Sequence, residues 1–274
     1  MTVIEMLHRD FALTPVIATE IEFYLHGAGT MFTPQQVIDV IRQECDVADI
    51  PLASVEQERG SDQYEIALQP SNDYAGVITD TERFKALIAG VFARCGVVAD
   101  FSAKPLAHAP GSGLHVHVHL ENDSGKNVFY REGEEFSPQL LHAIGGLLAF
   151  MNPCMNIFAP TEESYARFTE KSNAPTTVSW GPNNRTVAIR LPTKPMDSKH
   201  IEHRVAGADA NAGQVIAAIL AGIHYGLAQK CDPGKPTYGD AALEQYGLPA
   251  LARDLKEAQN FMLEYKALTE YPLY

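Results

Sequence analysis

The sequence is poor in cysteine, with four residues in 274 that lie far apart and form no CxxC pair. This usage excludes a disulfide-stapled scaffold and gives no sign of a cysteine-rich zinc site. Cys45 and Cys95 fall on the apolar faces of predicted helices, which is typical of buried, reduced thiols. We therefore expect a cytoplasmic protein.

Positive charge and long apolar runs are also scarce. The chain has 21 Lys+Arg against 34 Asp+Glu, a net charge of −13, so the basic surface of a nucleic-acid-binding protein is not indicated. The longest apolar stretch, residues 215–228, includes His224 and is too short to span a bilayer. The N-terminal segment carries Glu5 and lacks a long apolar core, so no signal peptide is expected. We expect neither nucleic acid nor membrane as a partner.

No internal repeat, low-complexity tract or long linker interrupts the sequence. Hydrophobic residues make up 46% of the chain, which is enough to build a substantial core. We therefore predict that residues 1–274 form a single domain.

Apolar periodicity and capping residues predict a mixture of helices and strands. Thr33 and Pro34 form a helix start, and Gly96 ends an apolar stripe of helical period. The predicted helices cover residues 34–45, 84–95, 138–151, 210–230 and 248–266. The predicted strands cover residues 16–25, 64–69, 97–103, 114–120, 176–180, 186–191 and 201–205. Strict alternation without regular βαβ units predicts an α+β fold with an antiparallel sheet.

Several predicted strands place charged or imidazole side chains on one face. Alternate residues of a strand point to the same side, so Glu20 and Glu22 share a face. The same rule places three histidines of residues 114–120 together, opposite the aliphatic side chains. The residues that this pattern singles out are Glu20, Glu22, Glu58, Glu65, His115, His117, His119, Arg185, Arg190, Glu202 and Arg204.

Each of these features alone has an ordinary explanation. Paired glutamates on a strand are usually solvated, strand histidines can face solvent or bind a transition metal, and arginines near a strand are commonly surface ion-pair residues. Together they would form a face that is costly to bury unless cations and anions occupy it. Carboxylates with an imidazole suit Mg²⁺ or Mn²⁺, and forked arginines suit phosphate and carboxylate groups. ATP-dependent chemistry fits this set, although the sequence has no GxxxxGK[ST] loop.

At these residues the sequence resembles the glutamine synthetase family. The segment PGSGLHVHVHL at residues 110–120 is similar to its glycine-rich loop and histidine strand. NNRTVAIRLP at residues 183–192 is similar to its arginine strand, and IEHR at 201–204 with ADAN at 208–211 to the segment that closes its site. IATEIEF at 17–23 and QYEI at 63–66 match in the same order. The resemblance implies a curved antiparallel sheet with helices packed on one side, a guanido-kinase-like arrangement.

The resemblance also implies a ligand set for two divalent ions, Mg²⁺ or Mn²⁺. One ion would be held by Glu22, Glu58 and Glu65, and the other by Glu20, His115 and Glu202.

The remaining implied roles concern ATP and a glutamate-like carboxylate. His117 would face the nucleotide and Arg190 would contact its phosphates, while Arg185 would stabilise the transferred phosphoryl group. The amino-acid substrate would be bound by Gly111, Arg167 and Arg204. The implied reaction makes a γ-glutamyl phosphate, which an amine or ammonia then attacks.

The sequence departs from the family on the side that would receive the amine. Only about sixteen residues precede the glutamate strand, so the family's N-terminal β-grasp domain is not represented, and a separate small chain could supply it. The family's flap glutamate falls on Asn173, a carboxylate near the adenine on Ala53, and an arginine on His200. Pro110 stands where ammonia-using members often have asparagine. Family members form rings, so we expect a homo-oligomer.

Three functions are compatible with these observations. The first is an ATP-dependent carboxylate–amine ligase with a substrate other than ammonia. The second is a non-catalytic relative that binds nucleotide or metal as a regulatory or assembly module. The third is a phosphotransferase on the same fold that releases a phosphorylated product.

Overall fold

The computed structural model describes residues 1–168, 174–192 and 198–273. Its α-helices are α1 (Val3–Phe11), α2 (Pro34–Val47), α3 (Tyr74–Ala93), α4 (Pro138–Phe150), α5 (Met155–Phe158), α6 (Ala212–Gln229) and α7 (Leu255–Glu264). Its strands are β1 (Leu13–His26), β2 (Leu52–Gln57), β3 (Gln63–Leu68), β4 (Val98–Asp100), β5 (Leu114–Asn122), β6 (Trp180–Pro182), β7 (Ile189–Leu191) and β8 (Ile201–His203).

The strands of the described ranges form one open sheet in the order β2-β3-β1-β5-β8-β7-β6, with β4 paired to β1. This arrangement confirms the α+β prediction. The pairs are antiparallel except β6 with β7, which run parallel, so the expectation of a wholly antiparallel sheet was wrong at this edge. The two strands have three residues each, and the chain doubles back between them through a turn that begins at Asn183 with φ 48°.

The central strands separate an apolar face from a polar one, as their alternation predicts. In β5, Leu114, Val116 and Leu120 are fully buried. The apolar face of β1 packs against α3, where the Phe23 and Phe84 rings lie 5.7 Å apart. Burying side chains of this size stabilises the fold by about 1.5–3 kcal/mol each. The opposite face of β1 and β5 is therefore free to carry the glutamates and histidines.

Helices α4 and α6 cross at a contact made of glycines. A Cβ at Gly146 would lie 2.5 Å from the Cα of Gly226, so only glycine permits this approach. By length and composition α6 could cross a membrane, and at 18 residues it is longer than the apolar stretch read from the sequence. Of this helix, 67% is buried within the protein, which is typical of a core helix.

Three elements escaped the sequence analysis, and one helix begins earlier than predicted. Helix α1 has nine residues and starts with a capping box between Thr2 and Glu5. The edge strand β2 is mostly exposed, so it lacks the alternation of a half-buried strand. The four-residue helix α5 is too short to show a period. Helix α3 begins ten residues before the apolar stripe, because the Asp73 side chain accepts a hydrogen bond from Gly76 N.

Several predicted strands are shorter in the structure. The strand predicted at 97–103 covers only β4, because Asp100 accepts hydrogen bonds from the backbone and hydroxyl of Ser102 and turns the chain. Residues 176–179 form no strand of the sheet, and Thr177 makes one isolated bridge to Ala250. The predicted strand 186–191 is reduced to β7.

Candidate functional site

Strand register brings the predicted side chains into one row across the sheet. Glu22 of β1 pairs with Glu65 of β3, and Glu20 pairs with His115 of β5. Further along, Glu202 of β8 pairs with His117 on one side and with Arg190 of β7 on the other. The row therefore runs from carboxylates on β3 to an arginine on β7 through five neighbouring strands.

Two groups in this row are close enough to hold a cation. The potential ligand atoms of Glu20, Glu65 and His115 lie within 4.8 Å of one another, and so do those of Glu20, His117 and Glu202. His115 Nδ1 lies 3.5 Å from Glu20 Oε2 and 3.9 Å from Glu202 Oε1. The two groups share Glu20 and divide the carboxylates differently from the sets that the resemblance implied.

Glu22 and Glu58 stand beside the first group rather than in it. Gly113 N donates a hydrogen bond of 2.7 Å to Glu22 Oε2, which fixes that carboxylate at the end of β5. Glu58 follows β2 in the turn to β3, where its amide donates to the Gln63 carbonyl. Both glutamates line a small cavity of about 40 Å³ together with Gly111, Arg167, Arg204 and other residues.

The charges of these groups fit a bound cation. Burial, together with the charges of four neighbouring glutamates, raises the pKa of Glu65 to about 9. Burial also opposes ionisation of Glu20, yet its close contacts with the imidazoles of His115 and His117 keep its pKa well below the usual range. The buried His115 Nε2 and His117 Nε2 have no hydrogen-bond partner in the described ranges. Crowded oxygen ligands with imidazole are the chemistry that Mg²⁺ and Mn²⁺ accept.

Glu202 is buried and held by two of the predicted arginines. Arg190 Nη1 donates to Glu202 Oε2 at 2.7 Å, and Arg204 Nε donates to Glu202 Oε1 at 3.0 Å. Burial opposes ionisation of Glu202, but nearby histidines and these arginines lower its pKa. Arg190 Nη2 also donates to Asn183 Oδ1 at 3.1 Å. Glu202 therefore orients the arginines as well as offering a ligand atom.

The other arginines differ in their surroundings. Arg167 is 3% exposed and donates to the carbonyls of Val205 and Arg204. Burial lowers its pKa to about 10. The side chain of Arg185 is exposed in the turn between β6 and β7, where its carbonyl accepts a hydrogen bond from Arg204 Nη1. Asn173 lies outside the described residues.

Two cavities border the row of polar side chains. One has a volume of about 640 Å³ and is lined by Glu20, His117, His119, Arg190, His200 and other residues. This volume suits a ligand of nucleotide size. The small cavity on the other side contains Glu22 and His115 at its wall. A third cavity, of about 680 Å³, is lined by none of the predicted site residues that the structure describes.

The glycine-rich loop contributes more than the sequence analysis assigned to it. A Cβ at Gly111 would lie 2.7 Å from the Ala103 carbonyl oxygen and 2.8 Å from Arg167 Cγ. A Cβ at Gly113 would lie 2.6 Å from Arg167 Nη2 and 2.7 Å from His115 Nε2. Gln63 Nε2 donates to the Gly111 carbonyl at 3.1 Å. Gly113 and Gln63 were missed as positioning residues, although both stand inside the motifs quoted above.

The fold, the row of polar side chains and the sequence motifs agree with comparisons to known proteins. The family model described as "Glutamine synthetase, catalytic domain" matches residues 28–272. The chain belongs to this family of ligase catalytic domains. The gamma-glutamylputrescine synthetase PuuA of Escherichia coli (strain K12) is 34% identical over 269 residues, covering 88% of this chain and 57% of that protein. The glutamate–isopropylamine ligase of a Pseudomonas species is 34% identical over 224 residues, covering 80% and 47%.

The fold is shared with solved structures of the same family. A complex of GmaS with ADP has a TM-score of 0.86 and 25% identity, and the match covers 98% of this chain and 67% of that one. GmaS without ligand has a TM-score of 0.85 at the same identity. The present chain spans about half the length of the curated relatives that it matches.

Proposed function

We propose that the protein is an ATP- and divalent-metal-dependent ligase that joins a glutamate-like carboxylate to an amine. A γ-carboxylate oxygen attacks the γ-phosphorus of ATP, the bond to ADP breaks, and γ-glutamyl phosphate forms. The amine nitrogen then attacks the acyl carbon, phosphate leaves, and the nitrogen loses a proton. The observation that carries this proposal is the row of glutamates, histidines and arginine between a large and a small cavity.

The row, with Glu58 beside it, would supply the ligands for two divalent cations, drawn from Glu20, Glu22, Glu58, Glu65, His115 and Glu202. When bound, Mg²⁺ or Mn²⁺ would neutralise phosphate oxygens during phosphoryl transfer. The crowding of carboxylates at Glu65 supports this use, because cations would remove the repulsion that, together with burial, raises its pKa. The protein itself would orient the ATP phosphates through Arg190, which Glu202 holds in place.

The cavities suggest how the substrates are placed. We assign ATP to the large cavity, with its phosphates toward Arg190 and His117, and the carboxylate substrate to the small cavity beside Gly111, Arg167 and Arg204. We assign stabilisation of the transferred phosphoryl group to Arg185, whose side chain is exposed and whose backbone carbonyl accepts a hydrogen bond from Arg204 Nη1. The ADP bound to the structural neighbour GmaS supports the nucleotide assignment.

The relatives support an organic amine as the second substrate, since their names contain putrescine and isopropylamine. The direct test is ADP release with Mn²⁺, ATP and glutamate across ammonium, methylamine, isopropylamine and putrescine. Hydroxylamine replaces the amine in a parallel reaction and converts an acyl phosphate to a hydroxamate. We expect ADP and an amide with at least one amine. Absence of ADP and hydroxamate under every condition would refute the ligase.

Two variants make the assay specific to the row. E22Q removes one charge from a carboxylate held by Gly113 N, and we expect the rate to fall on the order of 100-fold. E264Q, at an exposed position at the end of α7, removes a similar charge outside the site and keeps the rate. Tight binding of ATP and Mn²⁺ without turnover would instead support the non-catalytic module. That alternative is favoured by Asn173, at the position where the resemblance expects a glutamate.

The remaining expectations concern the assembly around this chain. We propose that residues 1–274 act as one domain, that the protein forms a homo-oligomer, and that a separate small chain completes the amine side. A cytoplasmic location is supported by the four cysteines, all in the described ranges and all free. Light scattering with and without a candidate partner chain tests the assembly.

A further inference from the structure

A chain of close polar contacts leads from a backbone carbonyl to the shared carboxylate. His200 Nδ1 lies 2.8 Å from the Ser198 carbonyl oxygen, and His200 Nε2 lies 3.1 Å from His117 Nδ1. At the other end of the imidazole, His117 Nε2 lies 3.0 Å from Glu20 Oε1. Of the two histidines, only His117 has been placed in the site so far, as a contact to the nucleotide and as a member of one candidate cation group.

The direction of these hydrogen bonds follows from the first one. A carbonyl oxygen can only accept, so His200 Nδ1 carries the proton. In a neutral ring His200 Nε2 is then an acceptor, and His117 Nδ1 must be the donor in their contact. A neutral His117 with its proton on Nδ1 presents the lone pair of Nε2 toward Glu20. The arrangement places two acceptors 3.0 Å apart.

Two facing acceptors repel each other unless a proton or a metal cation lies between them. His117 Nε2 is buried, and its approach to Glu20 lacks the angles of a hydrogen bond, so this nitrogen has no hydrogen-bond partner in the described ranges. A carboxylate oxygen of Glu202 completes a group with ligand atoms within 4.8 Å of one another. One imidazole and two carboxylates are a common ligand set for a divalent metal ion.

We propose that His117 is a cation ligand through Nε2, beside Glu20 and Glu202, and that His200 is the positioning residue that fixes the required tautomer. Ligating histidines are commonly oriented in this way by a partner on their other nitrogen. An arginine at position 200 could only donate, so it would force His117 Nδ1 to accept and Nε2 to carry the proton. Histidine at this position therefore converts His117 from a donor into a ligand. The inference rests on the proposed cation site but not on ligase turnover.

The first test counts the nitrogens bound to the metal. The full chain loaded with Mn²⁺ alone is examined by electron spin echo spectroscopy, which detects imidazole nitrogen on the ion. We expect nitrogen couplings from His115 and His117 in the wild type, and loss of the His117 contribution in H117Q. Equal couplings in both proteins would overturn the inference. Absence of Mn²⁺ binding by the wild type would instead remove the cation site of the proposed function.

The second test isolates the positioning role of His200. H200L removes the acceptor, and we expect Mn²⁺ affinity at this site to fall roughly 10- to 100-fold. H200R should weaken binding in the same way, whereas H200Q, whose side-chain oxygen can accept, should restore it. H119L is the matched control, because His119 lines the same cavity but lies 3.1 Å from Glu121 Oε1. Equal affinity in H200L and the wild type would contradict the positioning role.

A measurement on the wild type covers the case in which a variant does not fold. Nitrogen chemical shifts of the histidines are recorded with Mg²⁺, which is diamagnetic. We expect His117 to carry its proton on Nδ1 and His200 to carry its proton on Nδ1. Protonation of both His117 nitrogens, or a proton on its Nε2 alone, would overturn the inference.

Discussion

At the scale of single residues, the site is a balance between like charges and the groups that hold them. Burial and four other glutamates raise the pKa of Glu65 to about 9, whereas Glu202, despite its burial, has its pKa lowered by nearby histidines and by arginine contacts. The strands force these carboxylates together, because paired positions on one sheet face are only about 4.5–5.5 Å apart at Cβ. The arrangement therefore costs stability unless cations are present.

The variant E65Q separates the stability lost to crowded carboxylates from the stability gained when metal binds. Without metal we expect E65Q to be at least as stable as the wild type, because the amide stays neutral, whereas the buried Glu65 must either take up a proton or repel its neighbours. A carboxyl group with a raised pKa contributes less to the free energy of unfolding as the pH rises. The stability advantage of E65Q should therefore grow from about pH 4.5 to about pH 9. Urea denaturation in EDTA across this range measures the difference.

Adding metal should make the wild type more stable than E65Q. At Mn²⁺ concentrations of 100 times the dissociation constant, the wild type should gain about 2.7 kcal/mol, and E65Q should lose most of that gain. E56Q changes the exposed glutamate that pairs with Glu65 across β2 and β3, and it serves as the control. A larger Mn²⁺ stabilisation in E65Q than in E56Q would argue against Glu65 as a ligand.

At the scale of elements, the helix pair α4 and α6 depends on glycines that the helical pattern alone does not explain. The carbonyl oxygen of His142 and the amide nitrogen of Gly146 lie against the position that a Cβ on Gly226 would occupy. Two helices that approach this closely exclude even a methyl group. The same residues in an exposed helix would only weaken it.

We therefore expect G226A to lower the free energy of unfolding by about 1–3 kcal/mol, because the added methyl group overpacks the crossing. G90A is the matched control, since Gly90 is an exposed position in α3 where an added Cβ would meet open space. That replacement should raise stability by about 0.5–1 kcal/mol, because alanine favours the helix. Thermal or urea unfolding of both variants measures the two effects. A neutral G226A would show that the helices can separate.

At the scale of the whole molecule, one buried histidine joins both ends of the chain to the core through two polar contacts. His224 of α6 is buried, with Nε2 2.9 Å from Asp10 Oδ2 at the end of α1 and Nδ1 2.9 Å from the Tyr271 hydroxyl. The hydrogen bond from Arg9, followed by the one from His224, lowers the pKa of Asp10 well below its usual range. The charged Asp10 therefore stabilises the folded state.

The lowered pKa of Asp10 predicts how the stability of D10N depends on pH. A carboxylate with a depressed pKa stabilises the folded state at pH values above the pKa it has in the unfolded chain. This contribution is lost as the pH falls through the acid range. D10N should be less stable than the wild type at pH 7, and the difference should shrink below about pH 4. Denaturation curves at several pH values test this. D123N, at an exposed turn position, should show no such pH-dependent difference.

The sequence by itself determined the binary pattern of the central strands and therefore which side chains could meet. Alternation fixed the polar face of Glu20 and Glu22 and the imidazole face of β5, because side-chain direction in a strand has a period of two. Apolar stripes likewise predicted four main helices. Helix α1 escaped although Val3, Met6 and Leu7 follow helical spacing, because nine residues hold only one apolar repeat, and β2 escaped because Val55 is its only buried residue.

Only the tertiary structure decided how those residues combine. Register, which no local pattern specifies between distant strands, placed Glu202 between His117 and Arg190 and made Glu20 common to both candidate cation groups. It also brought His200 against His117 across 83 positions of sequence. Contacts of this kind depend on packing and pairing energies summed over the whole sheet, whereas the direction of a single side chain depends only on its neighbours along the chain.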